Sequence, residues 1–160
     1  MKDTISKTRS TAASQPTKFG ISLRIVRLSN LLSKPFFTRY AERFDLSLNE
    51  WRVMAMLSER PRIAAADVSV LTGMHPMNVS RSVRRLARMG RITRSTNSAD
   101  RRRTCLELTP VGAAIVRKVA PGAVRREQLL EQALGPAGTR AFNRLLDQVI
   151  VELEALGAED

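Results

Sequence analysis

Apolar residues recur at helical spacing along most of this chain, and the pattern predicts short helices separated by polar turns. Between residues 21 and 44 it predicts a helix that is kinked or interrupted at Pro35. The apolar surface of this helix is broader than one neighbour in a small monomer needs, which indicates contact with a second copy of the chain. The first 20 residues are rich in Ser, Thr and Lys and predict a flexible basic tail.

The next segment carries the signature of a helix N-terminus. Ser47 and Glu50 have the spacing of a capping box, and Trp51 stands where a hydrophobic staple would place an apolar side chain. The sequence therefore predicts a helix over residues 48–58 that buries Trp51 in the core.

Two further helices are predicted on either side of a glycine. The first covers 64–72 with Val68 and Leu71 facing inward, and the second covers 76–89. Gly73 between them permits the positive φ of a tight turn. The second helix buries residues at i, i+4 and i+7, namely Val79, Val83 and Leu86, and its opposite face is basic. This arrangement is typical of a helix-turn-helix unit, in which the second helix enters the major groove of DNA.

After Gly90 the spacing of the apolar residues changes from that of a helix to the alternation of a β-strand, with a period of two residues. Ile92 and residues 105–108 are strand-like, and the polar residues 95–103 between them favour a turn. The sequence therefore predicts a β-hairpin, or wing, with three consecutive arginines near its tip.

The next helix is predicted to begin after Thr109, with Thr109 as its N-cap and Pro110 at the first helical position. A bend is predicted at residues 121–122, and a last helix is predicted to begin at 135–136. An amphipathic stripe on this helix predicts a packing surface and comprises Phe142, Leu145, Leu146, Val149, Ile150, Leu153 and Leu156.

Composition and charge narrow the function. The chain has 160 residues, typical of one domain, and 43% of them are hydrophobic, which suffices for a core. The formal charge is +12, yet residues 75–103 hold nine Arg and a single acid, whereas residues 104–160 are net acidic. A dense arginine block of this kind predicts a surface that binds phosphates.

The order of these elements, and several short segments, resemble the MarR family of winged-helix transcription regulators. The resemblance is strongest over 46–115. It is carried by Leu86-Ala87-Arg88-Met89-Gly90-Arg91-Ile92-Thr93-Arg94, by the Asp-x-Arg at Asp100-Arg101-Arg102, and by Leu108-Thr109-Pro110-Val111-Gly112. The fold expected is mainly α with a small β-hairpin wing: a winged helix-turn-helix over 46–119, with dimerisation helices over 21–45 and 120–156.

The resemblance also implies a function. Members of this family act as homodimers whose two winged helices read the halves of a palindromic operator, and a small-molecule effector or an oxidant can weaken that binding. The expected function is therefore a sequence-specific regulator of double-stranded DNA, acting as a repressor. Cys105 falls in the wing strand and is interpreted as a packing residue, not a redox sensor.

The candidate DNA-binding residues lie on the second helix and the wing. Base edges are assigned to Met77, Asn78 and Arg81, because Asn and Arg pair with adenine and guanine, and Met can touch a thymine methyl. Phosphates are assigned to the residues beside these and further along the helix: His75, Ser80, Arg84, Arg85 and Arg88. At the wing, Arg101 accompanies Arg102, the candidate for the minor groove, and Asp100 braces a neighbouring arginine.

Other classes of protein fit less well. A single His and a single Cys make neither a catalytic triad nor a Cys/His metal site, so neither an enzyme nor a cofactor is expected. No apolar run is long enough to cross a membrane and no signal peptide is evident, so the expected location is the cytoplasm. Two alternatives remain open: a nonspecific or architectural nucleic-acid binder, including one for RNA, and a winged helix whose basic face docks an acidic protein.

Overall fold

The computed structural model describes residues 19–96 and 104–157, which form a mainly α-helical fold with a small antiparallel sheet. Its elements in chain order are α1 (Gly20–Phe36), α2 (Leu48–Glu59), β1 (Ile63–Ala64), α3 (Ala65–Thr72), α4 (Pro76–Arg88), β2 (Ile92–Thr96), β3 (Thr104–Leu108) and α5 (Pro110–Leu156). The predicted fold class is confirmed. Most of the predicted basic tail and the tip of the predicted wing lie outside the described residues.

Helix α1 passes through Pro35 without ending. The predicted interruption comes directly after it, where Phe37–Ala41 forms a π-helical turn. Leu46 N–H then donates to the carbonyl of Ala41 at 2.9 Å, so the chain turns into α2 without a long linker. Phe36 at the end of α1 is buried and its ring stacks on Trp51, with ring centroids 6.3 Å apart. The predicted core position of Trp51 is confirmed.

The start of α2 is the predicted capping box. Ser47 Oγ accepts from the backbone N–H of Glu50 at 3.2 Å, and Glu50 Oε2 accepts from the backbone N–H of Ser47 at 2.8 Å. An N-cap of this kind stabilises a helix by about 1 kcal/mol. It also holds the side chain of Glu50, which is only 4% exposed, in one orientation.

The sheet has the order β1-β3-β2, with both pairs antiparallel. Ile92 lies opposite Leu108 and Thr96 opposite Thr104, which is the register of the predicted hairpin. Strand β1 was not predicted, since two residues are too few to show an alternating pattern. Cys105 on β3 is buried, as expected of a packing residue.

Residues from every helix of the described chain meet in one core. Helix α3 contributes Val68, but Leu71, which the pattern predicts to face inward, is 40% exposed. The reason is length, because a two-turn helix presents only a narrow strip to its neighbours. The most buried side chains of the core are Phe36, Val53, Met54, Leu57, Val68, Val79, Val83, Leu86, Leu106 and Val119.

Helix α5 begins at the predicted cap. Thr109 Oγ1 accepts from the backbone N–H of Gly112 at 3.1 Å and donates to the carbonyl of Gly90 at 2.7 Å. The predicted bend at residues 121–122 does not break the helix. Within Pro110–Leu156 only Gly135 has non-helical backbone angles, so the predicted start of a last helix at 135–136 is the true discontinuity.

Two apolar faces are exposed in the single chain. On α1 they comprise Ile21, Leu23, Ile25, Val26 and Leu31, and on the last part of α5 they comprise Phe142, Leu145, Val149, Ile150, Leu153 and Leu156. Contiguous exposed apolar faces are typical of interaction surfaces. They are the two segments that the sequence assigns to dimerisation.

Candidate nucleic-acid interface

The first turn of α4 is set by a short turn and a histidine cap. Gly73 has φ +64°, the left-handed conformation predicted for it, and Met74 beyond it is buried. His75 Nδ1 accepts from the backbone N–H of Met77 at 3.2 Å, and Pro76 occupies the first helical position. The capping contact requires an unprotonated Nδ1, which leaves Nε2 as the imidazole group available to a ligand.

Helix α4 divides sharply into a buried and an exposed face. Val79, Ser82, Val83 and Leu86 are buried against α2 and α3. The opposite face carries most of the residues predicted to bind DNA, and the structure brings these together as exposed side chains: His75, Met77, Asn78, Ser80, Arg81, Arg84 and Arg88. The polar and sulfur-containing side chains lie in the first turns, and arginines follow towards the C-terminus of the helix.

Arg85 differs from its neighbours, because its guanidinium is bonded within the protein. Nη1 donates to Glu50 Oε2 and Nη2 to Asp45 Oδ1, both at 2.6 Å. These hydrogen bonds, first to Glu50 and then to Asp45, raise the pKa of Arg85 above its usual value. The sequence predicted Arg85 to contact phosphate. In the structure its charge lies opposite two carboxylates, because α4 packs beside the N-terminus of α2, and about a third of its side chain (34%) remains exposed.

Arg91 belongs to the same basic block but is 8% exposed. Its guanidinium donates to the carbonyl of Asp45 at 3.0 Å and to the carbonyl of Phe44. Burial lowers the pKa of Arg91, and the negative charges of Asp45 and Glu50 oppose that shift. Two of the nine arginines between residues 75 and 103 therefore make hydrogen bonds within the chain, and only Arg91 of these two is buried.

The wing supplies the remaining candidates. Arg94 on β2 is exposed and was not assigned to DNA from the sequence, although its place on a strand of the wing was evident. Asp100, Arg101 and Arg102 lie outside the described residues, so their assignments remain predictions.

A cavity of about 600 Å³ lies beside the candidate interface, between α4 and the turn that precedes α2. It is lined on one side by Asn78, Arg81 and Arg85 and on the other by Asp45 and Glu50. Acidic side chains thus stand close behind a basic face. Sequence reasoning found Glu50 only as a capping residue, because its pairing with Arg85 joins positions 35 residues apart.

Other kinds of site are not evident in the described part of the chain. Residues 19–96 and 104–157 bring together no three His, Cys, Asp or Glu side chains that would hold a metal ion. None of the helices in those ranges is both apolar and long enough to span a membrane.

Comparison with known proteins agrees with this geometry. Residues 44–103 match the model of the MarR family. Over 85 residues the chain is 25% identical to a "Putative transcriptional regulatory protein for hcr operon" of Thauera aromatica, which covers 53% of this chain. The chain spans about half (51%) of the length of that relative.

Solved structures extend the likeness to most of the chain. A MarR/EmrR family transcriptional regulator from Acinetobacter sp. ADP1 is 25% identical and superposes with a TM-score of 0.74, covering 84% of this chain and 94% of its own. The MepR–DNA complex of S. aureus is 19% identical and superposes with a TM-score of 0.75, covering 86% and 99%. The described fold is thus that of the winged-helix regulators that the sequence resembles.

Proposed function

We propose that this chain is a transcriptional regulator of the MarR family and that it forms a homodimer, which binds double-stranded DNA sequence-specifically through its two α4 helices. The observation that carries the proposal is the division of α4 into a buried apolar face and an exposed face of polar and arginine side chains. A helix of this kind fits the major groove, where base edges present distinct patterns of donors and acceptors. The proposed role is binding, without catalysis.

The residues of the first turns are proposed to read bases. Met77, Asn78 and Arg81 are exposed, and the His75 cap holds the backbone from which they project. Exposed residues beside and beyond them are proposed to contact phosphates, namely His75, Ser80, Arg84 and Arg88. For the wing we retain Arg102 as the candidate for the minor groove, Arg101 as a further DNA contact, and Asp100 as the brace of a neighbouring arginine.

Dimerisation is proposed from the exposed apolar faces of α1 and of the last part of α5. Two copies related by a twofold axis would present two identical α4 helices, and such dimers read half-sites about one helical turn apart, roughly 10–11 bp between centres. The operator is therefore expected to be a near-palindrome. We further propose repression, because a dimer that covers its operator obstructs other proteins at the same DNA.

A small-molecule effector is proposed to act from a cavity between α1, α2 and α5. This cavity has a volume of about 370 Å³, within the range of small-ligand sites. Phe36 and Trp51 line it together with the charged side chains Arg52, Arg126 and Glu127. A largely apolar groove whose wall carries two arginines and one glutamate favours a small organic anion. Trp51 is the only tryptophan of the chain, so its fluorescence would report occupancy directly.

The experiment that tests the proposed function is a salt titration on two duplexes, one recovered by the protein from a random pool and one with that sequence scrambled. With Arg85 and Arg91 engaged internally, seven arginines of the block remain per chain, and if half of these bind, a dimer neutralises roughly seven phosphates, giving a log–log slope of about −6. The recovered duplex should bind at least 1,000-fold more tightly than the scrambled one, as is typical of specific recognition (roughly 10³–10⁷-fold). Equal affinities would indicate an architectural binder instead, and failure to bind either duplex would overturn the proposal.

Arg81→Ala should lower affinity for the recovered duplex by about 1–3 kcal/mol and relax the preference at one position of each half-site, as expected for a bidentate contact with guanine. The matched control is Arg84→Ala on the next turn. It should weaken binding to all duplexes alike and reduce the magnitude of the salt slope by about 0.9 per chain. If both variants lose the same affinity on specific and scrambled duplexes, Arg81 does not read a base.

A further inference from the structure

Four residues form a polar cluster that joins α4 to the beginning of α2, and we name it the Arg85 cluster: Asp45, Glu50, Arg85 and Arg91. Arg85 bridges Glu50 and Asp45 through its two terminal nitrogens, and its Nη1 also donates to the carbonyl of Asp45 at 3.2 Å. Arg91, just beyond α4, donates to the same carbonyl. The cluster therefore connects the last turn of α4, through Arg85, and the segment just beyond α4, through Arg91, to the turn before α2.

Glu50, the buried partner of Arg85, is held in place independently of it, whereas the carboxylate of Asp45 is largely exposed. Glu50 is fixed by its capping bond to Ser47 N–H at 2.8 Å and is almost completely buried. Asp45 has φ +44°, a left-handed conformation that an aspartate adopts more easily than most residues. Since a buried carboxylate without a partner is costly, removing Arg85 from Glu50 would be strongly unfavourable. The guanidinium is thus expected to remain in the cluster when a ligand approaches.

Because Arg85 lies on α4, the cluster can fix the orientation of this helix. Arg85 lies four residues after Arg81, so both project from the same side of the helix. The apolar contacts of Val83 and Leu86 with the core are non-directional and tolerate small rotations of the helix. A two-pronged guanidinium contact is directional, and it selects one rotation of α4 about its axis.

We propose that Arg85 is a positioning residue, which orients α4 through Glu50 and Asp45 and does not neutralise a DNA phosphate. The proposal rests on the proposed function, because the orientation matters for reading DNA. On this proposal Arg85 serves the packing of α4, and the two acidic residues Glu50 and Asp45 are required for binding DNA, although DNA is a polyanion.

The test compares Arg85→Gln with Arg84→Gln, which removes the same charge from the neighbouring, exposed position. On the recovered duplex, Arg85→Gln should lower affinity at least tenfold and leave the log–log salt slope unchanged, whereas Arg84→Gln should reduce its magnitude by about 0.9 per chain, or about 2 per dimer. Asp45→Asn should also weaken binding, although it removes a negative charge close to DNA. A reduced slope for Arg85→Gln, or tighter binding by Asp45→Asn, would overturn the proposal.

Two further variants separate positioning from charge and from misfolding. Arg85→Lys keeps the charge but has no planar fork to span both carboxylates, so its affinity should resemble that of Arg85→Gln. Restoration of wild-type affinity by Lys would assign Arg85 to phosphate. The paired variant Glu50→Gln with Arg85→Gln leaves no lone buried charge, and it should fold while its salt slope stays that of wild type.

A measurement without DNA makes failure of this proposal distinguishable from failure of the proposed function. Amide hydrogen exchange along α4 should accelerate about tenfold in Arg85→Gln and in Asp45→Asn, and it should remain at the wild-type rate in Arg84→Gln. Unchanged exchange in the cluster variants would overturn the positioning role. If the wild-type chain bound no duplex, the function would be refuted, whereas exchange would still decide whether Arg85 orders the helix.

Discussion

Replacing Gly112 by alanine should destabilise the chain more than a glycine-to-alanine substitution at any other glycine of the described residues. A Cβ built on Gly112 would lie 2.0 Å from the carbonyl oxygen of Arg91 and 3.0 Å from its carbonyl carbon. These atoms belong to the backbone between α4 and β2, which cannot move aside as a flexible side chain can. Overpacking usually costs about 1–3 kcal/mol, and a contact this short with the backbone should reach or exceed the upper end of that range.

The clash would act where several elements meet. Arg91 O accepts from the backbone N–H of Thr109 at 3.0 Å, and the Thr109 hydroxyl donates to the carbonyl of Gly90. Moving α5 away from this point would break both bonds and open the root of the wing. Arg91 also belongs to the Arg85 cluster, so the displacement would reach α4.

Urea unfolding monitored by circular dichroism measures the effect. The matched control is Gly157→Ala, at the end of α5, where an added Cβ meets only ordinary contacts of 3.6 Å or more. That variant should unfold within about 0.5 kcal/mol of wild type, as is usual for surface substitutions. A Gly112→Ala protein as stable as its control would contradict a close approach of α5 to the backbone of Arg91.

Helix ends were predictable because their signals are local. Ser47 and Glu50 cap α2 from positions three residues apart, and Gly73 and Thr109 mark their turns by residue type alone. The exposed face of α4 was predictable for a related reason, since the buried valines fix the helical phase. In each case the sequence within one or two turns contains the whole physical cause.

Contacts between distant segments were not predictable in the same way. Nothing near Arg85 indicates that Asp45 and Glu50 will stand opposite it, because the packing of α4 beside α2 decides that. The helix also continues through Pro121, although a proline inside a helix removes one backbone hydrogen bond. A basic residue in an arginine-rich segment is therefore only a candidate for DNA until its partners within the fold are known.

Charged substitutions on the last part of α5 should abolish both dimerisation and tight DNA binding. Leu146 and Ile150 belong to the predicted apolar stripe, and Ile150 is 50% exposed in the single chain. Burying two glutamates in an apolar interface is strongly unfavourable, so Leu146→Glu with Ile150→Glu should sediment as a monomer at micromolar concentration. Because the second half-site is bound at an effective concentration set by the first, affinity for the palindromic duplex should fall by roughly 10²–10⁴-fold.

A matched control lies on the opposite side of the same helix turns. Arg144→Gln with Gln148→Glu changes the charge by the same two units at the same spacing, and both positions are exposed and outside the stripe. This variant should remain dimeric. Retention of the dimer by Leu146→Glu with Ile150→Glu, verified as folded by circular dichroism, would contradict the proposed interface.

Operator spacing then links the dimer to the reading of DNA. Inserting about 5 bp, roughly half a turn, between the half-sites places the second major groove on the far side of the duplex. The insertion should therefore lower the affinity of the wild-type protein by about as much as the double variant Leu146→Glu with Ile150→Glu lowers affinity for the intact operator. The glutamate pair itself should bind both operators equally, because a monomer occupies one half-site whatever the spacing. If the wild-type protein tolerated the insertion, its two α4 helices would not bind the duplex together, and the palindromic operator would have to be abandoned even if the dimer were real.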